Sequence, residues 1–175
     1  MKITGCILAK DEENTIDVCI NNLATVVDEI VVIDNGSSDN TIEVAKKMGC
    51  VVRSCANETF DRARNAYHEV ATGDWILSVD VDERIDPSSI DYLKDVLESN
   101  KDYMAIRLPR YDYIGGGKWA LVDLCRLYKN DLRIGYDHLS MHASIAPALR
   151  KINGKAKSIE FALHHYDAFF EQARV

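Results

Sequence analysis

The stretch Trp75-Ile76-Leu77-Ser78-Val79-Asp80-Val81-Asp82-Glu83 decides how this chain is read. It begins as a buried strand and runs straight into two carboxylates separated by one residue. Aspartate is a poor strand former, and an ionised carboxylate is costly to bury unpaired, so a cation is the economical reason for placing two at a strand end. Hard oxygen ligands in small number suit Mg²⁺ or Mn²⁺ held jointly with substrate phosphates. The same letters also fit a plain turn, with Asp82 before the bend and Asp86 capping the next helix. The neighbouring segments carry the choice between them.

Towards the N-terminus, Ile3–Ala9, Glu29–Ile33 and Val51–Ser54 are short β-branched runs of the same kind. Between the first two, Ile16, Cys19, Ile20, Leu23 and Val27 recur at helical spacing, with Asn14 placed to cap the helix. Asn40 and Glu43 form a capping-box pattern before Ile42, Val44, Ala45 and Met48, and Gly49 sits where that helix would stop. A third helix is expected from about Asp61 to Ala71, ending at Gly73, and a fourth from Asp86-Pro87 to about Leu97. The alternation predicts an α/β fold, a mostly parallel central sheet with helices on both faces. In such a sheet the loops after the strands share one edge, and ligands bind there. Those loops are residues 10–13, 34–39, 55–61 and 80–84.

Beyond residue 100 the pattern changes. Tyr103–Pro109, Leu124–Tyr128 and Phe161–Tyr166 read as strands, separated by Gly115-Gly116-Gly117 and by an irregular stretch from Asn130 to Ser158. These strands and loops are expected to fold over the binding edge. A length of 175 residues fits one domain with a sizeable core. The formal charge of −7 argues against a general nucleic-acid binder, which needs clustered Lys and Arg. Cys6, Cys19, Cys50, Cys55 and Cys125 are odd in number, form no C-x-x-C pair and fall mostly in apolar runs, which reads as reduced, buried and cytosolic. No segment approaches ~20 apolar residues, so no membrane span is expected in this chain. The first apolar stretch is too short for a signal peptide and is followed at once by Lys10-Asp11-Glu12-Glu13.

A second carboxylate ends the neighbouring strand, in Val31-Val32-Ile33-Asp34-Asn35-Gly36-Ser37-Ser38-Asp39-Asn40-Thr41. Asp34 is placed to accept hydrogen bonds from a base or ribose, or simply to hold a turn. With both strand ends in view, the chain resembles the family 2 glycosyltransferases, which have the GT-A fold. The resemblance covers roughly residues 2 to 130 and rests on four blocks in the family's order. They are Ile7–Asn14, Val31–Thr41, Asp61–Val70 with Arg64-Asn65, and Gly73–Ile85 with the D-x-D at Asp80-Val81-Asp82. Within the family the chain looks most like small enzymes that modify lipopolysaccharide or capsule sugars.

The resemblance implies a metal-dependent, inverting transfer of a sugar from a nucleotide-diphosphate sugar, with a UDP-sugar favoured, to a hydroxyl of a saccharide or lipid-linked saccharide. It implies Mn²⁺ or Mg²⁺ as cofactor and a cytoplasmic place, free or peripheral at the inner face of the membrane. Position by position, it puts Glu12 beside the nucleoside, Asp34 in the same pocket, Arg64 against the base or phosphates, Asp80 on the ribose and Asp82 on the metal. Asn35 stands where many members carry a second acidic residue that reads the base; an amide both donates and accepts, so uracil stays compatible. Arg64 offers a planar fork for phosphate oxygens, with a solvated charged helix face as the alternative, and Arg62 is expected to matter less.

Residues 1–100 then form the nucleotide-sugar-binding half, and residues 101–175 the acceptor-side half, of one domain. Trp119 fits either stacking on a sugar ring or a place in the core, and His68 reads as a surface residue of a helix. His164-His165-Tyr166 resembles the family's late His-Tyr block, where a histidine often completes the metal site. His165 is the candidate, with an ordinary strand-end histidine as the alternative. Relatives tend to carry an acidic residue after a histidine in the block matching Leu139–Ile145, where this chain has His142 followed by Ala143. Asp137 is the first substitute for the catalytic base and His142 the second. The family usually continues past the His-Tyr block, so the chain is expected to be shorter than a complete enzyme. Two other readings stay open: a non-catalytic nucleotide-sugar-binding domain, and a sugar-phosphate nucleotidyltransferase. The latter normally has a glycine-rich basic loop where this chain has residues 10–13.

Overall fold

Alternation along the first strand divides the interior in two, because successive strand residues point to opposite faces. In the computed structural model, which describes residues 1–86, 90–115, 118–137 and 144–166, Ile3, Ile7 and Ala9 of β1 (Ile3–Ala9) face one apolar cluster and Cys6 faces the other. β2 (Glu29–Asp34) and β3 (Val51–Ser54) run parallel on one side of β1, and β4 (Trp75–Asp80) on the other. α1 (Ile16–Leu23), α2 (Thr41–Lys47) and α5 (Ile90–Ser99) cover the first face, burying Ile16, Leu23, Ala45, Leu93 and Leu97. α3 (Phe60–Asn65), α4 (Tyr67–Val70) and α6 (Ala146–Lys151) cover the second through Ala63, Tyr67 and Leu149. Each buried Leu or Ile contributes about 1.5–3 kcal/mol relative to exposure.

The remaining strands are β5 (Glu83–Ile85), β6 (Ala105–Gly115), β7 (Lys118–Lys129), β8 (Ala156–Ser158) and β9 (Leu163–His165). Among the described residues the sheet order is β3-β2-β1-β4-β7-β6-β9-β5, with β8 paired to β6. This is the α/β sheet with helices on both faces that the alternation predicts. The order contains one geometric demand. In a flat sheet β4 and β5 would stand about four strand spacings apart, ~19 Å. Asp80 and Glu83 are three residues apart in sequence and can span at most ~11 Å. The second half of the sheet must therefore curl back over the end of β4, and that curl walls the ligand edge.

Several local expectations are corrected. Asn14 does not cap α1; Thr15 takes the N-cap position, and its hydroxyl donates to Glu12. Asn40 stands at the N-cap of α2, yet no capping box forms: its side chain donates to Glu13 Oε2 at 2.7 Å, while Asp39 Oδ1 accepts the Thr41 N–H at 3.0 Å. The helix expected over residues 61–71 is split at Ala66, whose N–H is shared between the Arg62 and Ala63 carbonyls, a tightened turn. The stretch from Asn130 to Ser158 is not wholly irregular, since it holds α6, with a proline in its first turn, and β8. Six residues are too few for a 3.6-residue periodicity to show. His68 is half-buried rather than superficial, with Nδ1 2.9 Å from Asn130 Oδ1 and its ring against Tyr128. All five cysteines are free thiols, but only Cys6 and Cys19 are buried.

Gly73 marks the entry to β4, and a Cβ there would come within 2.7 Å of Thr4 Oγ1, 2.8 Å of Thr4 N and 3.0 Å of the Lys2 carbonyl oxygen. Two of these are backbone atoms of the N-terminal segment and cannot swing aside. Gly73→Ala is expected to lower stability by about 1–3 kcal/mol, as overpacking does. Urea unfolding checks this, and an unchanged midpoint would show that the two strands can part without cost.

Candidate functional site

Strand register places Asp34 opposite Ala9 and Asp80 opposite Leu8, so the two carboxylates flank the end of β1 on the ligand edge. Asp34 is buried, and its oxygens accept the Gly36 and Ser37 N–H groups, both at 3.1 Å. Gly36 adopts φ +91°, a conformation glycine enters without strain. Asn35 donates through Nδ2 to the Glu58 carbonyl at 3.2 Å, while its buried Oδ1 has no hydrogen-bond partner among the described residues. Glu12 lies in the loop after β1, its N–H donating to Thr41 Oγ1 at 2.7 Å and its Oε2 accepting the Thr15 hydroxyl. Glu12, Asp34 and Asn35 thus gather at the ends of β1 and β2.

A cleft of about 960 Å³ meets this group at Glu58, which accepts from Asn35; Arg64, Asp80, Arg110, Asp112, Arg126 and Tyr136 are among its lining residues, and Glu12, Asp34 and Asn35 are not. Arg64 projects from α3, donates through Nη2 to Asp80 Oδ1 at 2.6 Å and lies over the Tyr136 ring, 5.6 Å from its centroid. Its side chain is only 14% exposed, whereas that of Arg62 is 64% exposed and meets Glu58 at 3.5 Å. The helix therefore turns Arg64 into the cleft and Arg62 to solvent. Asn65 locks the opposite wall: its Oδ1 accepts the Tyr136 N–H at 2.7 Å and its Nδ2 donates to the Tyr136 carbonyl at 3.1 Å. Arg64→Ala is expected to cost about 1.5–3 kcal/mol of stability, the range for hydrogen bonds to charged groups. Arg62→Ala should stay within about 0.5 kcal/mol, as exposed substitutions do. Denaturant unfolding of both variants checks the pair, and a larger loss at Arg62 would reverse the helix orientation.

Arg126 was not anticipated as a site residue. Ile106 pairs with Leu127 and Arg107 with Cys125, so Arg126 is the extra residue of a β-bulge in β7. A bulge re-aims one side chain out of the regular alternation. Here it delivers a guanidinium to Asp80 of the D-x-D and to Glu83, the residue after it: Nη2 donates to Asp80 Oδ2 and, at 2.8 Å, to Glu83 Oε1. Glu83 is fully buried and acts as a hub. Its Oε2 accepts the Asp80 N–H at 2.9 Å, and its Oε1 also accepts Arg110 Nη1 at 3.0 Å. Burial alone would raise the Asp80 pKa, but Arg126 and Arg64 outweigh it and hold the carboxyl well below the usual carboxylate range. Burial pushes the Glu83 carboxyl up, against the pull of Arg126 and with a further push from Asp80.

Asp82 lies between Asp80 and Glu83 in the turn from β4 to β5. β5 pairs with β9 so that Glu83 faces His165, and the Tyr166 N–H donates to the Asp82 carbonyl at 3.2 Å, extending the pairing by one residue. His165 Nε2 lies 3.1 Å from Asp82 Oδ2, and this hydrogen bond raises the His165 pKa. The two residues named for the metal are thus brought together. Among the described residues no cluster of three His, Cys, Asp or Glu side chains offers a closed cage. One carboxylate and one imidazole suit an ion that fills its shell with diphosphate oxygens and water, so the donors present fit Mn²⁺ or Mg²⁺.

The residues named for the catalytic base are only partly described. Asp137 follows the cleft residue Tyr136, and its N–H donates to the carbonyl of Ser144, another lining residue, at 3.2 Å. His142 lies outside the described residues. Trp119 is 57% exposed and meets Tyr111 edge-on at 5.3 Å, so it is no core residue. The missed residues left faint signals. Arg126 interrupts the apolar run Leu124–Tyr128, Glu83 directly follows the D-x-D, and Arg110 and Asp112 are two apart on a strand and share a face.

An α/β sheet with carboxylates ending β2 and β4 on either side of β1, and a guanidinium-lined cleft along that edge, agrees with the GT-A class of fold. The chain belongs to glycosyl transferase family 2, whose family model matches residues 5–156. It is 30% identical over 109 residues to an uncharacterized glycosyltransferase of Rickettsia typhi, covering 61% of this chain and 37% of that protein. It is likewise 30% identical over 122 residues to the uncharacterized glycosyltransferase YibD of Escherichia coli, covering 66% of this chain and 36% of that one. The chain therefore spans little more than a third of the length of these relatives. Among solved structures, S. aureus TarS 1-349 matches with a TM-score of 0.72 at 18% identity, over 99% of this chain and 64% of that one. Glucosyl-3-phosphoglycerate synthase from Mycobacterium tuberculosis, in complex with Mn²⁺ and UDP-glucose, matches with a TM-score of 0.68 at 16% identity, over 99% and 75%. At these identities the likeness is one of fold. No helix among the described residues is long and apolar enough to cross a membrane.

Proposed function

We propose that this chain is the donor-binding and catalytic part of a glycosyltransferase that moves a sugar from a nucleotide diphosphate, UDP in the favoured reading, to a hydroxyl of a saccharide or lipid-linked saccharide. The observation that carries the reading is the pairing of Asp82 with His165 at 3.1 Å, beside a cleft whose wall already holds Arg64, Arg126 and Asp80. The cleft volume of about 960 Å³ falls within the range of small-molecule and cofactor sites. Arg64 and Arg126 both line the cleft, which gives it two guanidiniums on the side of Asp80. The neighbour TarS in complex with UDP-GlcNAc and the mycobacterial synthase with Mn²⁺ and UDP-glucose support the donor class.

In this reading Glu12, Asp34 and Asn35 hold the nucleoside, Asp80 the ribose and Arg64 the phosphates. Asp82 and His165 would hold a divalent ion, whose chemistry there would be to supply positive charge to a diphosphate leaving group. Asp137 stands first, and His142 second, as the group that takes the acceptor proton in an inverting displacement. Assembly of cell-surface polysaccharide at the cytoplasmic face of a membrane is the corresponding setting. Calorimetric titration with UDP-, GDP-, CDP- and dTDP-sugars, with and without Mn²⁺, tests the reading. UDP-sugars should bind in Mn²⁺ and lose affinity in EDTA; equal affinity in both would overturn the metal role. Asp137→Asn is expected to lower turnover by about 10²-fold or more with donor affinity unchanged, the pattern for a general base. Normal turnover would remove Asp137 from that role.

A further inference from the structure

His165 has a carboxylate on each ring nitrogen. Nε2 lies 3.1 Å from Asp82 Oδ2, and Nδ1 lies 3.2 Å from Asp112 Oδ1. The backbone makes this arrangement, because register sets Glu83, His165 and Asp112 side by side on β5, β9 and β6, on one face of the sheet. Asp112 is gripped from the other side by Arg110, whose Nη2 donates to Oδ2 at 3.0 Å and whose Nε sits 2.6 Å from Oδ1. Arg110 is anchored in turn on Glu83 at 3.0 Å. Asp112 Oδ1 is buried and makes no aligned hydrogen bond among the described residues, so it retains acceptor capacity beside the imidazole.

We infer that Asp112 is a positioning residue for His165: it accepts the Nδ1–H and so fixes the tautomer and ring plane that turn Nε2 towards Asp82 and a divalent cation. The inference rests on the proposed reading of Asp82 and His165 as metal ligands. A neutral imidazole has one N–H and one lone pair, and which nitrogen ligates is set by the hydrogen bond that the other makes. An acceptor held rigidly at Nδ1 leaves the Nε2 lone pair facing the ion, and it also makes that nitrogen more basic. Removing such an outer partner commonly weakens metal binding by about 10–100-fold. The Arg110 grip and the Glu83 anchor explain why the acceptor would hold its place.

The test is Mn²⁺ binding to the chain in the presence of UDP, read from the electron paramagnetic resonance signal of free aquo-Mn²⁺. Asp112→Ala is expected to raise the Mn²⁺ dissociation constant by about 10–100-fold. Asp112→Asn, which keeps an acceptor oxygen and the shape of the site, should fall between the two and carries the test if the alanine variant fails to fold. In a His165→Ala background, Asp112→Ala should change affinity by less than about twofold, since the two residues act as one unit. Unchanged affinity in Asp112→Ala, with a clear loss in His165→Ala, would overturn the role of Asp112 and leave the metal site standing. An equal loss from Asp112→Ala with and without His165 would overturn it as well, because Asp112 would then act on something other than the imidazole. A wild-type chain that takes up no Mn²⁺, or one indifferent to His165→Ala, would overturn the metal-site reading and this inference with it.

Discussion

Replacing Arg126 by methionine is expected to lower the unfolding free energy by about 3–5 kcal/mol, the cost of breaking a buried ion pair from one side. The side chain is 10% exposed and Glu83 is fully buried, so neither partner finds water when the other leaves. Methionine fills much of the same volume, which isolates the charge from the packing. Glu83 would be left with Arg110 alone, and Asp80 with Arg64 alone. The dependence on pH follows from the two carboxyls. Asp80 has a depressed folded pKa, so its contribution is complete above its unfolded value near 4 and is lost as pH falls through the folded one. Glu83 has a raised folded pKa, so its ionisation weakens the fold as pH rises through that value. In the variant Glu83 takes a proton more readily, and the deficit against wild type should shrink on acidification. Urea unfolding at pH 8 and pH 5 checks both magnitude and trend, and Glu83→Gln in the same background should recover part of the loss. A deficit below about 1 kcal/mol at pH 8 would show that the cluster is hydrated and its pairs weak.

The second large effect concerns catalysis. Asp82→Ala is expected to reduce sugar transfer by about 10²–10³-fold, the range for removing one stabiliser of transition-state charge. Its unfolding midpoint should stay near wild type, because the Asp82 side chain is 36% exposed and its partner His165 also contacts Asp112. Asp80→Ala provides the contrast. It strips a carboxylate from between two guanidiniums, so it should damage stability and donor affinity together, whether or not Mn²⁺ is supplied. Turnover with Mn²⁺ titrated at saturating donor separates the two. An Asp82→Ala variant that still responds to Mn²⁺ as wild type does would move the metal elsewhere.

The strand–helix alternation of residues 3–97 was legible where elements such as β1, α1 and α5 span enough residues to display their period, and the D-x-D was legible because two aspartates contradict the strand that carries them. The halves of the ion cluster were not. Arg126 belongs to the site only because a bulge shifts the register of β7 by one residue, and Asp112 only because β9 returns beside β6 with His165 at the matching position. Both facts are pairings between distant segments, and composition records no pairing. The caps failed for a related reason. Asn14 and Asn40 have the chemistry for capping, but Thr15 stands one residue nearer to α1, and the Asn40 amide is drawn to Glu13 in the neighbouring loop. Local rules set the candidates, and tertiary partners chose among them.

The two-residue link between β4 and β5 makes topology and chemistry inseparable in this chain. Val81 and Asp82 serve at once as a tether, holding the curled half of the sheet over the end of β4, and as the segment that presents the carboxylate facing His165. Inserting one residue there could not merely lengthen a loop. If β5 absorbed it by slipping one place along β9, every side chain of that strand would reverse face. Arg84 would then turn inward against Arg126 and Arg110, while the Glu83 carboxylate left the core. A buried anion shared by two guanidiniums would become three like charges in one enclosure. The spacing of the D-x-D to the next strand is therefore guarded twice, by the ligand it presents and by the electrostatic sign of the sheet's inner face.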